Sequence, residues 1–194
     1  MEPIRAFVAI ELPEQVRSVL TQLQNDLKRS KAASVKWAGA EGIHLTLKFL
    51  GNVDASEIPK LKEALSGATR GIAPFHLELG NPGAFPNAHA PRVVWVGVGG
   101  EVETLQTLHN NVERELAPLG FSPEERSFSP HLTLGKVREG STADDRRCLR
   151  EAVASLKVGE KPTFEVGALS LMRSTLTPRG AIYSCLASFA LVGR

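Results

Sequence analysis

The tetrapeptide His-Leu-Thr-Leu occurs twice in this chain, at residues 44–47 and again at residues 131–134. Each copy lies in a run of alternating polar and apolar residues that is typical of a strand. Because side chains alternate between the two faces of a strand, the histidine and threonine of each copy share one face and the leucines share the other. The repeat therefore predicts two strands that bury their leucines and present an imidazole beside a hydroxyl.

The duplication is too specific to follow from composition. The chain has 5 histidines in 194 residues and is 42% hydrophobic, so two such patterns would arise by chance in roughly one sequence per thousand. A single copy would most simply be a hydrogen-bonded pair at the rim of a core. The two copies together favour one functional site with two similar walls.

Length and composition are those of a globular protein. With 23% charged residues and a net charge of +2, the chain can bury a substantial core and lacks the dense positive charge of a general nucleic-acid-coating protein. A small anionic substrate needs only a locally positive cleft. The two cysteines, Cys148 and Cys185, are too few for a disulfide framework, and we expect reduced, buried thiols.

The sequence gives no sign of a membrane segment. No run approaches the roughly 18–20 apolar residues that a spanning helix needs. The first residues carry charges on both sides of a short apolar run, which is typical of a first strand and not of a secretory signal. We expect a cytoplasmic protein and, since no coiled-coil pattern or large exposed apolar stripe is evident, a monomer.

Hydrophobic periodicity predicts alternating strands and helices. Strands are predicted at 4–13, 35–37, 43–50, 75–79, 92–98, 131–137, 163–172 and 181–192. Helices are predicted at 14–31, 55–65, 101–116 and 144–156, and turns at 80–86 and 177–180. A strand–helix–strand unit in the first half is thus answered by a similar unit in the second.

No glycine-rich or proline-rich linker separates the halves. We therefore expect a single bilobal α+β domain over residues 1–194, in which two pseudo-symmetric lobes of antiparallel sheet face each other across a cleft and the helices lie outside. The two motif strands would line this cleft from opposite sides.

Paired histidines suit a reaction that removes one proton and delivers another. Imidazole titrates near pH ~6.5, so one ring can act as base while its partner, held protonated by an anion, acts as acid. A phosphodiester fits this arrangement, with attack from one side and departure on the other. No serine or cysteine lies in a nucleophile turn, and the spacing lacks the ligand clusters expected of zinc, so no metal is expected.

At these residues the chain resembles the two-histidine (HxTx) phosphoesterases, specifically the bacterial and archaeal RNA 2′,3′-cyclic phosphodiesterases, historically called 2′-5′ RNA ligases. The resemblance covers nearly the full length. It is carried by the segments RAFVAIELP at 5–13, GIHLTLKFLG at 42–51, GAFP at 83–86, PRVVWVGV at 91–98, PHLTLGKV at 130–137 and LSLMRSTLTPRGAIY at 169–183.

The resemblance implies a role for each motif residue. His44 would protonate the departing 3′ oxygen, and His131 would act as general base on the attacking water, leaving a 2′-phosphate end. Thr46 and Thr133 would bind the phosphate oxygens and stabilise the charge of the transition state. It also implies no metal or nucleotide cofactor, and partners that are RNAs with 2′,3′-cyclic phosphate or 2′-phosphate ends.

The sequence departs from the family at Lys136, where members often carry arginine. Lysine keeps the charge but loses the bidentate fork. In a regular strand Lys136 would also point away from His131, so it reaches the phosphate only if the strand bulges near Gly135. Lys136 is therefore either a phosphate ligand or a solvated charge.

Several other residues have both a functional and an ordinary interpretation. Lys48 shares the face of His44 by alternation and would be a cation of the cleft or of its rim. Phe85 would stack on a base or pack in the core. Arg173 and Arg179 would meet an RNA backbone or be solvated. Three further histidines lack the motif and are expected at the surface or in loops: His76, His89 and His109.

Three functions are compatible with these residues. The first is hydrolysis of RNA 2′,3′-cyclic phosphate ends, with reversible 2′-5′ ligation as an added possibility. The second keeps the site but gives it a small cyclic nucleotide or cyclic ADP-ribose phosphate. The third is non-catalytic RNA or nucleotide binding, which the intact pair of histidines disfavours because binding alone does not need two titrating groups.

Overall fold

A computed structural model describes residues 3–29, 35–86, 91–159, 161–178 and 180–193. The strands are β1 (Ile4–Ile10), β2 (Val35–Trp37), β3 (Leu45–Val53), β4 (Phe75–Phe85), β5 (Val93–Gly100), β6 (His131–Val137), β7 (Thr163–Val166), β8 (Ala168–Thr177) and β9 (Gly180–Ala190). The α-helices are α1 (Glu14–Arg29), α2 (Ile58–Ala68), α3 (Val102–Leu116) and α4 (Ala143–Ser155). Short 3₁₀ turns cover Ala40–Gly42, Ala55–Glu57 and Ala117–Leu119.

The strands form two antiparallel sheets, which confirms the predicted α+β architecture. The first sheet has the order β3-β1-β8-β9 and the second has the order β2-β6-β5-β4-β7. Each motif strand lies beside the strand that opens its half of the chain, β3 beside β1 and β6 beside β5. The order β3-β1-β8-β9 is thus matched by β6-β5-β4-β7, so the sheets repeat the duplication seen in the sequence.

One apolar core joins the inner faces of the helices to one face of each sheet. The motif leucines lie in it: Leu45, Leu132 and Leu134 are 0% exposed and Leu47 is 3% exposed. Helix α1 adds its predicted apolar stripe, with an acidic residue in its first turn and basic residues in its last turn that suit the helix dipole. Burial of the leucines leaves the opposite face of each motif strand free for a site.

The predicted turn at 80–86 is instead the second part of β4. A register shift between Leu79 and Pro82 accommodates the proline, which cannot donate to a ladder. Gly83 lies opposite Trp95, and a Cβ there would come within 2.5 Å of the indole ring. The glycine that signals a turn in the sequence is needed here because a large ring packs over the strand.

The single strand predicted at 163–172 is also wrong. The predicted strand is divided at Gly167 into two strands. β7 lies at the edge of the second sheet, and β8 lies in the middle of the first. A continuous apolar pattern cannot reveal that a segment passes from one sheet to another.

The two cysteines are free thiols. Cys148 is half-buried and Cys185 is exposed, so the prediction of buried cysteines is wrong for Cys185.

Each of the described helices is too short or too polar to span a lipid bilayer.

Candidate active site

The first motif strand is bulged at the last leucine of its motif. Ala9 lies opposite Thr46 and Val8 lies opposite Lys48, so Leu47 is an extra residue in β3. A bulge reverses the alternation of side chains beyond it. Lys48 therefore faces the core with Val8 instead of sharing the face of Thr46.

The second motif strand has the same bulge at the same position. Trp95 lies opposite Thr133 and Val93 lies opposite Lys136, which leaves Leu134 as the extra residue in β6. Lys136 thereby returns to the face that carries Thr133. The bulge that a phosphate-binding role for this lysine requires is present, one residue before Gly135.

Aromatic rings surround His44 on the first wall. Its ring centroid lies 5.2 Å from that of Tyr183 and 5.8 Å from that of Phe7, both in edge-to-face geometry. Phe7 and Tyr183 belong with Ala9 and Met172 to a small apolar cluster separate from the main core. This cluster lies on the face of the first sheet that presents the motif, so the His44 ring packs against Phe7 and Tyr183.

Burial is the main influence on the charge of His44. Loss of solvent lowers the pKa of His44 below its ordinary value, and the guanidinium of Arg17 lowers it further. The Glu11 carboxylate, a hydrogen bond with the backbone of Gly42 and the Glu41 carboxylate oppose this decrease in pKa. Burial therefore favours the neutral form of the His44 ring.

His131 on the second wall is held in one tautomer. Its Nδ1 lies 2.7 Å from the carbonyl oxygen of Ser129. A carbonyl only accepts, so Nδ1 carries a proton, and in the neutral ring Nε2 then has the lone pair. The Phe85 ring lies 4.9 Å from the imidazole in edge-to-face geometry and 4.8 Å from the Trp95 ring. Phe85 is therefore half-buried at the motif face and does not belong to the core.

The motif threonines have free hydroxyls within the described residues. Thr46 and Thr133 are half-buried, and neither hydroxyl is hydrogen-bonded to another described residue. Two donors on two walls suit the non-bridging oxygens of one phosphate.

Two exposed residues extend the motif faces, and sequence reasoning missed both. Lys36 of β2 lies directly opposite Lys136, so two exposed lysines stand side by side on the second wall. Phe49 lies opposite Phe7 on the first wall and is 70% exposed. Alternation along β2 marks Lys36, but nothing in the sequence says which sheet that short strand joins.

The remaining candidates either face the core or belong to elements other than the motif strands. Lys48 is buried in an ion pair with Glu113 and so belongs neither to the cleft nor to its rim. His109 is 8% exposed, which corrects the expectation of a surface histidine, whereas His76 is exposed as predicted. Arg173 lies opposite the core residue Ala6, on the other side of the first sheet from the motif. Two predictions lie outside the described residues, those for His89 and Arg179.

The two motif strands meet in space. β3 and β6 lie in contact, and each carries a histidine and a threonine on the face turned away from the core. We take these two faces as the walls of the candidate cleft. Within the described ranges, no group of three or more His, Cys, Asp or Glu side chains is placed to hold a metal ion. The cleft offers two imidazoles, hydroxyl donors and cations, which is a set suited to proton transfer at a phosphate.

Known proteins share this arrangement. A model of the LigT-like phosphoesterases matches residues 10–95 and again residues 96–183. The RNA 2′,3′-cyclic phosphodiesterase of Methanothermobacter thermautotrophicus is 37% identical over 188 residues, covering 97% of this chain and 99% of that protein. The protein of the same name from Archaeoglobus fulgidus is also 37% identical over 188 residues, covering 96% of this chain and 99% of that protein.

Solved structures agree with the sequence matches. The crystal structure of TT0787 of Thermus thermophilus superposes with a TM-score of 0.77 at 28% identity, covering 97% of this chain and 98% of that one. Escherichia coli LigT complexed with 3′-AMP gives a TM-score of 0.73 at 28% identity, covering 98% and 99%. Two antiparallel sheets, each with one copy of a duplicated His-x-Thr strand, are the features of the two-histidine phosphoesterase class. Within it, the chain belongs to the LigT-like phosphoesterase family.

Proposed function

We propose that the protein hydrolyses the 2′,3′-cyclic phosphodiester ends of RNA to 2′-phosphomonoesters without a metal ion. The observation that supports the proposal is the pair of bulged motif strands, which lie in contact and each present a histidine and a threonine on the face turned away from the core. Relatives that align with nearly the whole chain carry the name RNA 2′,3′-cyclic phosphodiesterase, and this supports the same reaction here.

The two histidines divide the proton transfers. His131 accepts a proton at Nε2 from a water molecule, since Nδ1 already donates to the Ser129 carbonyl. The water oxygen attacks phosphorus in line with the 3′ oxygen, the bond from phosphorus to that oxygen breaks, and His44 gives it a proton. The product keeps its phosphate on the 2′ oxygen, and each histidine finishes in the protonation state opposite to its starting one.

The environment of His44 suits the acid role once substrate is bound. Burial lowers the pKa of His44 in the free protein, and the negative phosphate raises it again when it enters the cleft. Proton uptake is thereby coupled to substrate binding. Thr46 and Thr133 donate hydrogen bonds to the non-bridging oxygens, where charge grows in the transition state.

The pair of lysines, Lys136 and Lys36, favours an RNA chain as the substrate more than a mononucleotide. Like charges directly opposite on neighbouring strands destabilise a sheet, and within the described residues neither lysine takes part in an ion pair. A bound polyanion would relieve that repulsion. Lys136 lies beside Thr133 on the same strand, and Lys36 lies one strand spacing further out, about 4.8 Å. We assign Lys136 to the terminal phosphate and Lys36 to the next phosphate along the chain.

The 2′-5′ joining reaction needs no further groups. A 5′-hydroxyl of a second RNA in place of water would attack the same phosphorus and form a 2′-5′ linkage, with His131 as base and His44 as acid. We further propose that one chain acts alone, as a single domain, because both motif copies come from one polypeptide. We also propose a cytoplasmic location, since the proposed substrate is RNA.

The test compares substrates with and without chelator. An oligonucleotide with a 2′,3′-cyclic phosphate end should be converted to the 2′-phosphate, identified by phosphorus NMR, at the same rate in excess EDTA. A strict requirement for metal, or a 3′-phosphate product, would contradict the mechanism. Cyclic mononucleotides and 2′-5′-linked dinucleotides are assayed in parallel with the oligonucleotide. A preference for the cyclic mononucleotide would favour a phosphodiesterase that acts on a small cyclic nucleotide. Binding without turnover would favour a non-catalytic nucleotide-binding protein.

A further inference from the structure

A buried charged cluster lies behind the cleft, on the core side of the first motif strand. Lys48 Nζ lies 2.6 Å from Glu113 Oε2 of α3, and the two residues are 2% and 9% exposed. His109, one turn earlier on α3, places Nε2 3.6 Å from Glu113 Oε1. A buried ion pair contributes little net stability compared with apolar residues of similar size. Net stability alone therefore does not explain this cluster, and the residues that it contacts are its relevant feature.

The cluster holds the segment that leads into the second motif strand. Residues 120–130 form no helix or strand. Lys48 Nζ donates to the carbonyl oxygen of Ser122 at 2.9 Å, near the beginning of this segment. The His109 ring stacks on Phe128 near its end, with centroids 4.1 Å apart and an interplanar angle of 11°. Residues of one cluster thus contact this segment at both ends, through a hydrogen bond near its beginning and a stacked ring near its end.

The end of that segment determines the state of His131. Phe128 immediately precedes Ser129, whose carbonyl oxygen lies 2.7 Å from His131 Nδ1. A shift of Phe128 would move this carbonyl and release the imidazole from its tautomer and orientation. The stacking of Phe128 against His109 thus lies one residue before the carbonyl that holds His131 Nδ1.

We propose that Lys48, Glu113 and His109 are positioning residues that hold His131 in its Nδ1–H tautomer. The bulge at Leu47 makes this possible, because it turns Lys48 away from the cleft and towards α3. The first motif strand thus presents Thr46 to the cleft and also supports the histidine of the opposite wall. The effect on turnover rests on the proposed function, whereas the effect on the His131 ring does not.

The test measures the imidazole directly by nitrogen NMR with labelled histidine, and the His131→Gln variant assigns the signal. The wild type should show the Nδ1–H tautomer. His109→Ala, which removes the stacking ring, should give a mixture of tautomers. His109→Phe keeps a ring against Phe128 and should restore the wild-type signal. His76→Ala, at an exposed histidine, is the matched control and should change nothing.

A double variant tests the ion pair without leaving a lone buried charge. Lys48→Met with Glu113→Leu should remain folded by circular dichroism yet also give mixed tautomers, because the bond to the Ser122 carbonyl is lost. Lys60→Met, in an exposed pair with Glu57, is its control. In the double variant and in His109→Ala, kcat should fall roughly 10- to 100-fold through misplacement of the base, with KM little changed.

The outcomes separate the two proposals. Folded variants with the wild-type His131 signal and the wild-type kcat would overturn the positioning role and leave the cluster as core filling. If the double variant does not fold, the comparison of His109→Ala with His109→Phe decides. A wild type that hydrolyses no cyclic phosphate but shows these tautomer changes would refute the proposed function and keep the positioning role.

Discussion

The two walls of the cleft share a motif and a bulge but present different groups beyond them. Two residues past the motif, the first wall carries Phe49 and the second carries Lys136, both on the motif face. One wall thus offers an exposed aromatic ring where the other offers a cation. The duplicated part of the site is the part to which we assign the chemistry at phosphorus, and the parts that differ lie next to it on each wall.

The residue next to the bulge differs as much as the one beyond it. Lys48 and Gly135 occupy equivalent positions and both face the core. Lys48 extends to α3, whereas a Cβ at Gly135 would lie 2.6 Å from Val35 Cγ1 and 3.1 Å from the Trp37 ring. The second sheet has the extra strand β2 packed there, so only glycine fits. The divergence at this position reflects β2, which pairs with the motif strand of the second sheet, whereas β3 is the edge strand of the first sheet.

The largest expected effect comes from removing either histidine. His44→Ala and His131→Ala should each lower kcat by roughly 10² to 10⁴-fold, the range for a positioned acid or base. His76→Ala is the control, since His76 is exposed on β4, two strands from β6. Rates are measured on an oligonucleotide with a 2′,3′-cyclic phosphate end. Full activity in either motif variant would remove that histidine from the mechanism and end the equivalence of the two walls.

The threonines test whether the walls contribute equally to the transition state. Thr46→Val and Thr133→Val keep the shape of the side chain and remove the hydroxyl, and each should lower kcat by roughly 10²-fold, as for a donor to a developing oxyanion. Thr→Ser at the same positions keeps the donor and should retain most of the rate. A large effect at one threonine and none at the other would show that one wall alone binds the reacting oxygens.

The sequence predicted the motif faces well and their continuation poorly. Strand 131–137 has the predicted bounds, and the motif leucines are buried as alternation requires. Lys48 and Lys136 lie on the faces opposite to those that simple alternation gives, because Leu47 and Leu134 are bulged out of register. A bulge depends on the partner strand, and a local pattern does not contain that information.

The same limit explains the other differences. β2 comes from the first half of the chain but joins the second sheet, and β7 and β8 divide one apolar run between the sheets. His109 lies on a helical face that reads as half polar, yet the loop carrying Phe128 covers it. Such long-range packing decides burial, and it is invisible to periodicity.

Stability measurements should separate Lys48 from Gly135. Lys48→Met alone leaves the Glu113 carboxylate buried without its partner, so the free energy of unfolding should fall by about 3–5 kcal/mol. Gly135→Ala should cost about 1–3 kcal/mol through overpacking against Val35. Denaturant unfolding gives both values, and Lys60→Met at an exposed pair should change stability by no more than about 1 kcal/mol. Equal small effects at both positions would mean that neither is tightly packed.

Substrate length should distinguish the two lysines of the second wall. Lys136→Gln should raise KM for cyclic mononucleotides and oligonucleotides alike, because it removes a contact with the terminal phosphate. Lys36→Gln should raise KM for oligonucleotides only and should reduce the slope of log KM against log salt by about 0.7, the value for one phosphate contact on a single strand. If Lys36→Gln affects mononucleotides equally, the assignment of Lys36 to the next phosphate is wrong.

The smallest expected effect is a pair of opposite shifts at His44. Glu11→Gln should lower the pKa of His44 further, since the carboxylate stabilises the imidazolium, and Arg17→Gln should raise it. Proton NMR titration of the His44 ring measures both, and the alkaline limb of kcat/KM should move in the same directions if His44 is the acid.

The lowered pKa of His44 also sets the direction in which stability changes with pH. The folded state holds fewer protons on His44 than the unfolded chain does. The contribution of His44 to the free energy of unfolding is therefore fully present above the ordinary pKa and is lost as the pH falls through the lowered value. Glu11→Gln should enlarge that acid-side loss of stability and Arg17→Gln should reduce it. Shifts of the ring pKa without any movement of the alkaline limb would assign the acid to a group other than His44 and leave the two walls chemically unequal.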